Sequence, residues 1–312
     1  GHRHAAGRPI ARLVGTNRGF CLEDDFERVR RFLIDTYPLF DRLFNWGIDR
    51  WDVHRFTGRA QAELSGNRSW TELVRIWEER GQIIGVVNPE GDNEAHLQIH
   101  PEHRGIEEEM VAWVAETWPT ERVLTWARQH DSSRRGLLRS GGWEEGGVVG
   151  FTHRRSLDGE LPPGPIVEGY AVRSIDLRLR DDAERRAAIS REVFGSKRTT
   201  ELAAVLRHAP SYRPDLDLVA VAPDGTFAAN TTVWLDEVNR FAVFEPVGTH
   251  PEHRRRGLAT AVMAEGLRRA VTLGATTAYV GSGTDLPANS LYASVGFDAG
   301  DADIRYSYAR RA

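Results

Sequence analysis

The sequence has little of what marks several large classes of protein. Cys21 is the only cysteine among 312 residues, which excludes an intramolecular disulfide framework and a cysteine-based zinc site. No apolar run approaches the ~20 residues of a membrane-spanning helix. The formal net charge is −4, so the chain lacks the overall basic character of a nucleic-acid-binding domain. We therefore expect a soluble globular protein with no membrane and no nucleic-acid partner.

Nucleotide-binding and targeting signatures are also missing. The chain has no Walker A sequence, and residues 281–285 (Gly-Ser-Gly-Thr-Asp) lack the later glycine of a dinucleotide fingerprint. The first residues, Gly1-His2-Arg3-His4, are not followed by an apolar stretch. We therefore expect no signal peptide and a cytoplasmic location.

The chain is long enough for about two domains. Residues 157–165 (Leu-Asp-Gly-Glu-Leu-Pro-Pro-Gly-Pro) are rich in Pro and Gly and have no hydrophobic periodicity, which is typical of a linker. Strand-like and helix-like patterns occur on both sides of this stretch. We predict an α/β chain (α+β, mixed sheet) with a first domain at residues 1–156, a linker at 157–166 and a second domain at 167–312.

Several helices are predicted by the sequence pattern. Apolar residues at helical spacing indicate helices at residues 24–34, 110–118, 181–194 and 258–273. Ser69 and Glu72 have the spacing of a capping box, so we predict a further helix from Ser69 to about Arg80.

Aromatic residues are concentrated in the first half. Eight of the nine tryptophans lie before residue 150, and other aromatic residues crowd between residues 37 and 56. Rings at this density either stack on nucleobases or fill an apolar core. Because no basic groove accompanies them, we interpret them as core of the first half.

Residues 247–259 are the clearest candidate for a binding site. An apolar run at residues 240–246 predicts a strand, and a helix follows, so the basic residues between them form a helix start. The first N–H groups of a helix have no partner within it and lie at the positive end of its dipole, which suits a phosphate. Gly257 permits a close approach of the backbone, and Arg254 and Arg256 add charge. A solvated basic turn is the alternative interpretation.

The pentapeptide His-Pro-Glu-His-Arg occurs twice, at residues 100–104 and 250–254. A predicted strand precedes each copy and a predicted helix follows it. Residues 137–143 and 291–297 are also similar and come in the same order, so we infer a duplication of one fold. Two histidines three residues apart, with no carboxylate or cysteine partner, are a weak indication of a metal, and we predict no metal site.

The two copies differ where an anion would bind. The turn after Arg104 is two residues shorter than the turn after Arg254, and residues 107–109 are all glutamate. Acids in a first helical turn stabilise a helix that has no ligand, but they repel phosphate. Leu138 stands at the position of Tyr292. We interpret the first copy as degenerate for anion binding.

On these residues the second half resembles the GNAT acyltransferases, the general-control-related N-acetyltransferase family. Arg254-x-x-Gly257-x-Ala259 matches the family's acyl-CoA pyrophosphate loop, and residues 287–297 (Pro-Ala-Asn-Ser-Leu-Tyr-Ala-Ser-Val-Gly-Phe) resemble its later signature. The resemblance covers residues 167–312 well, and residues 10–156 only through the repeat. It implies two tandem GNAT acyltransferase domains, an intact C-terminal copy and a degenerate N-terminal copy, as in mycothiol synthase-like tandem acetyltransferases.

The resemblance implies that acetyl-CoA binds as the acyl-donor substrate. Backbone groups of Val247 and Thr249 would pair with the pantetheine arm, and Gly248 would allow a local bulge whose N–H polarises the thioester carbonyl. The diphosphate would lie on the N–H groups of residues 255–260. The implied cofactor-binding residues are Val247, Gly248, Thr249, Arg254, Arg255, Arg256, Gly257, Leu258, Ala259, Thr260 and Asn289.

One position departs from the family pattern. Family members often have Asn where this chain has Asp285, and the nearest amide here is Asn289. Which of the two contacts the cofactor stays open at this point.

Two residues are candidates for the chemistry. Transfer to an amine requires a base that accepts the amine's proton, directly or through water. Glu245 is the candidate because it lies two residues before Val247, hence on the same strand face, although burial would have to raise its pKa. A surface glutamate is the alternative. By resemblance, Tyr292 protonates the departing CoA thiolate; the alternative is a core aromatic.

The sequence therefore predicts an acyl-CoA-dependent N-acyltransferase that transfers acetyl from acetyl-CoA to a primary amine of a small molecule by direct attack. Two alternatives stay open: a non-catalytic acyl-CoA-binding or regulatory protein, and an N-acetyltransferase that acts on a protein or an aminoacyl-tRNA. The acidic balance of the chain argues against RNA. We expect a monomer or homodimer whose first domain shapes the acceptor cleft or binds a partner.

Overall fold

A computed structural model of the chain describes residues 16–58, 70–284 and 286–310. The first half contributes, in order, β1 (Thr16–Gly19), α1 (Leu22–Thr36), α2 (Ile48–Val53), β2 (Arg75–Glu79), β3 (Gln82–Pro89), β4 (Ala95–Ile99), α3 (Glu107–Thr117), β5 (Arg122–Arg128), α4 (Ser132–Ser140) and β6 (Glu144–Ser156). The second half contributes β7 (Ala171–Ser174), α5 (Arg180–Phe194), α6 (Thr200–Val205), β8 (Asp217–Val221), β9 (Phe227–Asp236), β10 (Phe241–Thr249), α7 (Leu258–Thr272), β11 (Thr277–Ser282), α8 (Leu286–Ser294) and β12 (Asp301–Ala309). No helix within these three ranges has the length and apolar character needed to span a membrane.

The order of elements repeats in the two halves. Three antiparallel strands, a helix, a strand, a helix and a strand follow one another from β2 to β6, and the same series runs from β8 to β12. The repeated pentapeptide adopts one turn in both halves, because Nδ1 of His100 and of His250 each accepts the backbone N–H two residues on, at 3.3 Å. The duplicated α/β fold is confirmed, and the pentapeptide is a structural turn common to both copies.

The second pair of similar segments also has a common structure. The glycine two residues beyond α4 has a φ of 79°, and the one two residues beyond α8 has a φ of 84°. The N–H of Trp143 donates to the C=O of Leu138, and that of Phe297 donates to Tyr292, at 3.0 Å in both cases. These are the features of a helix that ends in a Schellman motif. Leu138 and Tyr292 therefore occupy equivalent positions.

The two halves share one sheet. Strands β1 to β4 form a separate antiparallel sheet, and the other eight strands are ordered β5-β12-β6-β11-β10-β9-β8-β7. In this order β12, from the end of the chain, lies between β5 and β6, and β6 lies beside β11. Ile304 and Tyr306 of β12 are accordingly buried in the apolar core of the first half. Strands are exchanged between the two copies, so the large sheet is built jointly.

Four predicted helices are confirmed as α1, α3, α5 and α7, but the helix predicted from residue 69 is wrong. Residue 69 lies outside the described residues, Trp70–Leu73 is a 3₁₀ turn, and β2 follows it. Ile76 packs into the core beside α1, whereas Trp77 packs into the core beside α3. Apolar side chains that alternate between two covered faces favour a strand, and this burial outweighs the capping-box spacing.

The aromatic residues of the first half form core, as predicted. Trp51 is 1% exposed and stacks on Phe26, with ring centroids 5.6 Å apart. Tyr37 stacks on Phe241 of β10 at 4.3 Å, and its hydroxyl lies 3.0 Å from that of Tyr279 of β11. These contacts pack the first half against one face of β10 and β11.

Candidate active site

Strands β10 and β11 run parallel and then diverge. They pair from Phe241 opposite Thr277 to Phe244 opposite Val280. Beyond that point β10 continues to Thr249 along β9, while β11 continues beside β6. A gap therefore opens at the carboxyl ends of two parallel strands, which is where α/β sheets commonly bind ligands.

A β-bulge lies at the start of this gap. The register with β9 shifts between Phe244 and Val247, so β10 has one residue more than β9 over this stretch. The extra residue changes the alternation of side chains. Val247 packs against the core that holds Tyr292, whereas Glu245 lines a cavity on the other face together with Val243. The prediction that Glu245 and Val247 share a strand face is wrong for this reason.

At the end of β10, the backbone N–H and C=O groups of every second residue face the gap. His250 donates its N–H to Ala228 of β9 at 2.9 Å, so Gly248, two residues earlier, also faces β9. The N–H and C=O groups of Val247 and Thr249 point the other way, into the gap, as pairing with an extended ligand arm requires. The N–H expected at Gly248 to polarise a thioester points to β9 instead, and the N–H of Val247 faces the gap.

Gly248 has a packing role. A Cβ at this position would stand 2.8 Å from atoms of both Val193 and Phe194, at the end of α5. The bulge expected at Gly248 lies earlier, at residues 245–246. Gly248 therefore leaves room for the side chains at the end of α5, and the bulge lies at other residues.

Helix α7 begins without a side-chain cap. Gly257, immediately before it, has a φ of 80°, a left-handed conformation that glycine adopts without strain. The N–H of Ala261 donates to the C=O of Gly257 at 3.0 Å, which leaves the N–H groups of residues 258–260 without partners inside the helix. No acidic residue stands in the first turn. This helix start has the donors and the polarity that a diphosphate requires.

Three arginines precede this helix start, and none of them pairs with a carboxylate among the residues that the structure describes. Arg254 donates from Nε to the C=O of Thr249 at 3.4 Å, and Arg256 donates to the hydroxyl of Tyr170 at 3.2 Å. Arg255 is exposed. Their positive charge is therefore available to an anion.

The equivalent helix start in the first half is filled by carboxylates of the chain itself. Arg104 bonds to Glu107 and to Asp131, at 2.8 Å each, and Arg134 bonds to Glu107 at 2.6 Å. Glu107 is 0% exposed. The arginine charge is neutralised within the fold, and the acidic first turn of α3 repels a phosphate. This geometry supports the interpretation of the first copy as degenerate for anion binding.

Tyr292 lies on the α8 side of the sheet, next to the gap. It is 5% exposed and belongs to the core that contains Phe244 and Val280. Its ring centroid lies 5.6 Å from that of His153, a first-half residue on β6. A first-half strand therefore contributes a side chain to the surroundings of Tyr292.

His153 joins β6 to the end of β11 and the start of α8. Its Nε2 lies 2.9 Å from both the hydroxyl of Ser282 and the side-chain oxygen of Asn289, and its Nδ1 donates to the C=O of Asp298 at 3.0 Å. No sequence signal marks His153, because its role depends on β6 lying beside β11. Asp285 lies outside the described residues, so the choice between Asp285 and Asn289 as a cofactor contact stays a prediction.

A cavity of about 400 Å³ lies between the two halves, on the face opposite Tyr292. Glu245 and Tyr279 lie on one wall, and first-half residues such as Trp46 form the other. Glu245 is exposed to the solvent of the cavity, while the cavity walls enclose its carboxylate. Desolvation by these walls raises the pKa of Glu245; the charge of Arg50 opposes the rise, and that of Glu90 adds to it. A raised pKa makes the carboxylate a better proton acceptor for an amine.

Glu245 and Tyr292 thus lie on opposite faces of the sheet at one gap. A carboxylate oxygen of Glu245 lies 3.8 Å from where a Cβ on Gly281 of β11 would stand, whereas Tyr292 packs with Val280 on the other face. A thioester held in the gap would have a carboxylate on its cavity side and a phenol on its other side. This arrangement suits an amine that arrives from the cavity and a thiolate that leaves on the α8 side.

Comparison with known protein families and relatives agrees with the two signatures in the second half. Residues 181–297 match the model of the acetyltransferase (GNAT) family. The mycothiol acetyltransferase of Kineococcus radiotolerans is 27% identical over 239 residues, which cover 74% of this chain and 77% of that protein. The family match lies in the copy with the open helix start.

Solved structures share the fold over almost the whole chain. A tandem GNAT protein from the clavulanic acid biosynthesis pathway has a TM-score of 0.65 at 14% identity, covering 95% of this chain and 98% of its own. A GCN5-related N-acetyltransferase from Sphaerobacter thermophilus has a TM-score of 0.62 at 17% identity, covering 96% of both chains. At these identities the likeness shows the fold, which is a tandem one.

Proposed function

We propose that the chain is an N-acetyltransferase of the GNAT family, whose family model its second half matches, and that it transfers the acetyl group of acetyl-CoA to a primary amine of a small molecule. The second copy is the proposed donor site, and the cavity between the halves is the proposed acceptor site. The contrast between two equivalent helix starts carries the proposal. Ion pairs fill the first, whereas the second has N–H groups without helical partners and, among the described residues, arginines without carboxylate partners.

The proposed donor site follows the gap between β10 and β11. The diphosphate would lie on the N–H groups of residues 255–260, with the arginines at positions 254–256 around it. The pantetheine arm would pair with Val247 and Thr249 in the manner of an added strand. This places the thioester at the start of the gap, beside the bulge, and Asn289 on the α8 side of the arm.

The proposed reaction is a direct transfer. The nitrogen lone pair of the neutral amine attacks the thioester carbonyl carbon, and the N–H of Val247 stabilises the charge that develops on the oxygen. Glu245 accepts the proton that the nitrogen loses, directly or through a water molecule. As the C–S bond breaks, the hydroxyl of Tyr292 protonates the CoA thiolate. The products are the amide and free CoA.

A small amine is the proposed acceptor because of the cavity. Its volume of about 400 Å³ lies in the usual range for small-molecule pockets. It has both charged and aromatic walls, and it meets the gap at Glu245. Because the relative from K. radiotolerans is named for mycothiol, the deacetylated form of mycothiol belongs in the first set of acceptors to test.

Release of CoA thiol from acetyl-CoA in the presence of a panel of small primary amines tests the proposal. Mass spectrometry of the amine should show one acetyl group for each thiol released. Glu245→Gln and Tyr292→Phe should each lose turnover by about 10²- to 10⁴-fold while the affinity for acetyl-CoA is kept. Glu237→Gln, an exposed residue in the turn before β10, is the matched control.

The outcomes separate the candidate functions. Binding of acetyl-CoA without turnover on any amine would favour a regulatory acyl-CoA-binding protein. Turnover only with a protein or an aminoacyl-tRNA would favour the third alternative, and a steep salt dependence would accompany an RNA acceptor. Failure to bind acetyl-CoA at all would reject the proposal.

A further inference from the structure

The charged side chains that line the cavity between the halves are mostly paired within the protein. The pairs, at 2.6 to 3.0 Å, are Arg50 with Glu90, Arg128 with Asp303 and Arg134 with Glu107. Each of these charges is therefore compensated by a neighbour. They shape the cavity wall without creating a demand for a charged ligand.

Two further carboxylates line the same cavity and form no direct ion pair among the described residues. Asp49 of α2 is 3% exposed, and Glu245 of β10 is accessible from the cavity. Within the described parts of the chain, neither carboxylate has a hydrogen bond or an ion pair with another residue. Arg50, which is paired with Glu90, offsets their charge only in part, and a buried carboxylate without a direct partner is costly. The cavity is therefore complementary to a positively charged ligand, with one carboxylate from each half of the chain.

The packing of α2 against β10 brings the two carboxylates to one region of the cavity. The carboxylate of Asp49 lies over Gly47, and a Cβ on Gly47 would stand 3.8 Å from a methyl group of Val243. Val243 and Glu245 are two residues apart on the same face of β10, which corresponds to about 7 Å along a strand. Asp49 and Glu245 therefore face the same end of the cavity, at the mouth of the gap between β10 and β11.

We propose that Asp49 and Glu245 form the ammonium subsite of the acceptor. A small primary amine binds between them as a cation that Asp49 anchors; the cation loses one proton to the solvent of the cavity before the nitrogen attacks, and Glu245 accepts the second proton as the amide forms. This inference rests on the proposed function. It adds the charge class of the acceptor and a specificity-determining residue from the first half.

The electrostatics of Asp49 agree with this geometry. Burial raises the pKa of Asp49 to about 7; the charge of Arg50 opposes the rise, and that of Glu245 adds to it. Asp52 on the same helix is also near, but it is paired with Arg30 at 3.1 Å. A cation held between Asp49 and Glu245 favours the ionised form of both. Binding of an ammonium ion should therefore release protons from the site.

A purely structural role for Asp49 makes a different prediction. Asp49 lies in the first turn of α2, where an acid stabilises a helix. Substitution would then lower stability but would not change the preference of the cavity for charged over neutral ligands. The decisive experiment therefore compares two ligands that differ in charge and hardly in shape.

n-Butylammonium and n-butanol are the probes, with binding to the full chain measured by saturation-transfer NMR. The wild type should bind the ammonium at least about tenfold more tightly than the alcohol. Asp49→Asn should remove this preference, and Asp35→Asn, an exposed residue of α1 paired with Arg31, should keep it. Equal binding of the two probes, binding of neither, or an undiminished preference in Asp49→Asn overturns the inference.

Kinetics with an acceptor from the amine panel provide the second arm. Asp49→Asn should raise the acceptor KM at least about tenfold and leave the Kd for acetyl-CoA within about twofold, and Asp49→Glu should recover part of the loss. A fall in kcat with an unchanged KM would contradict an anchoring role. If the wild type does not bind acetyl-CoA, the proposed function fails, while the probe experiment still decides the ammonium subsite.

Discussion

Glu245 shows how the surroundings of one residue set its chemistry. The bulge in β10 turns the side chain away from the core face and into the cavity. Burial there raises its pKa, so the carboxylate is a stronger base than an exposed glutamate. A protonated carboxyl cannot accept the proton of an amine. Activity should therefore be lost as the pH falls through this raised pKa.

The first prediction concerns this acid limb. The kcat/KM of the wild type should fall at low pH with an apparent pKa above the 4.5 of an ordinary glutamate. The charge of Arg50 lowers the pKa of Glu245 and that of Glu90 raises it. Arg50→Met should therefore move the limb to higher pH and Glu90→Gln to lower pH, with the exposed Arg31→Met as control. A pH profile of kcat/KM that is unchanged by both substitutions would be incompatible with Glu245 as the base.

The second prediction concerns His153. Its removal takes the imidazole out of the network in which Ser282 also donates to Asn289 at 2.6 Å, next to the proposed pantetheine arm. His153→Ala should weaken acetyl-CoA binding by about tenfold, as measured by calorimetry. His153→Gln keeps a hydrogen-bonding group and should lose less. An affinity that is the same in the alanine variant and the wild type would show that this network does not support the donor site.

At the scale of elements, α3 and α7 occupy equivalent positions in the two copies, but their N-terminal ends carry different charged groups. The start of α3 encloses Glu107 between two arginines, whereas the start of α7 follows a left-handed glycine and has no acid in its first turn. The first helix is stabilised by its own charges, and the second leaves its positive end available. The same fold therefore provides a structural helix in one copy and a site for an anion in the other.

The third prediction concerns the stability lost when Glu107 is substituted. Glu107→Ala removes the close carboxylate partner of the buried Arg134 and one of the two partners of Arg104, and should lower the free energy of unfolding by about 3–5 kcal/mol. Glu108→Ala, exposed in the same turn, should change it by less than about 0.5 kcal/mol. Urea denaturation measures both. Equal effects of the two substitutions would mean that the ion pairs of Glu107 do not stabilise the first copy.

Local features were predictable from the sequence, and features that depend on packing were not. The two helix starts could be told apart by turn length and by the acids at residues 107–109, because both properties are local. The bulge at residues 245–246 and the strand at Arg75–Glu79 could not be predicted, since they depend on which elements cover each face. For the same reason the sequence predicted Glu245 as a candidate base but assigned it to the wrong strand face.

At the scale of the molecule, strand exchange explains why the first half contributes to the site although its own helix start is filled. Strand β6 brings His153 to α8, and the packing of α2 on β10 brings Asp49 to the cavity. Neither residue carries a motif, because its place depends on contacts between distant parts of the chain. The boundary at residues 157–166 stays a prediction, but the large sheet crosses it.

The fourth prediction concerns the folding of the two halves as separate fragments. A fragment of residues 167–312 lacks β6, the partner of both β11 and β12, and a fragment of residues 1–156 lacks β12. Neither fragment alone should show cooperative thermal unfolding by circular dichroism, and co-refolding of the two should restore it together with acetyl-CoA binding. A fragment of residues 167–312 that folds alone and binds with full affinity would show that the exchange is dispensable.

The most direct test of the central claim is the stoichiometry of acetyl-CoA binding by isothermal titration calorimetry. The wild type should bind one molecule per chain. Gly257→Glu places an acid and a side chain at a left-handed position before α7 and should abolish binding. Gly105→Glu, at an exposed position before α3 with open space around it, should leave one molecule bound. Two molecules per chain, loss of binding in Gly105→Glu, or binding retained by Gly257→Glu would contradict a single donor site at the start of α7.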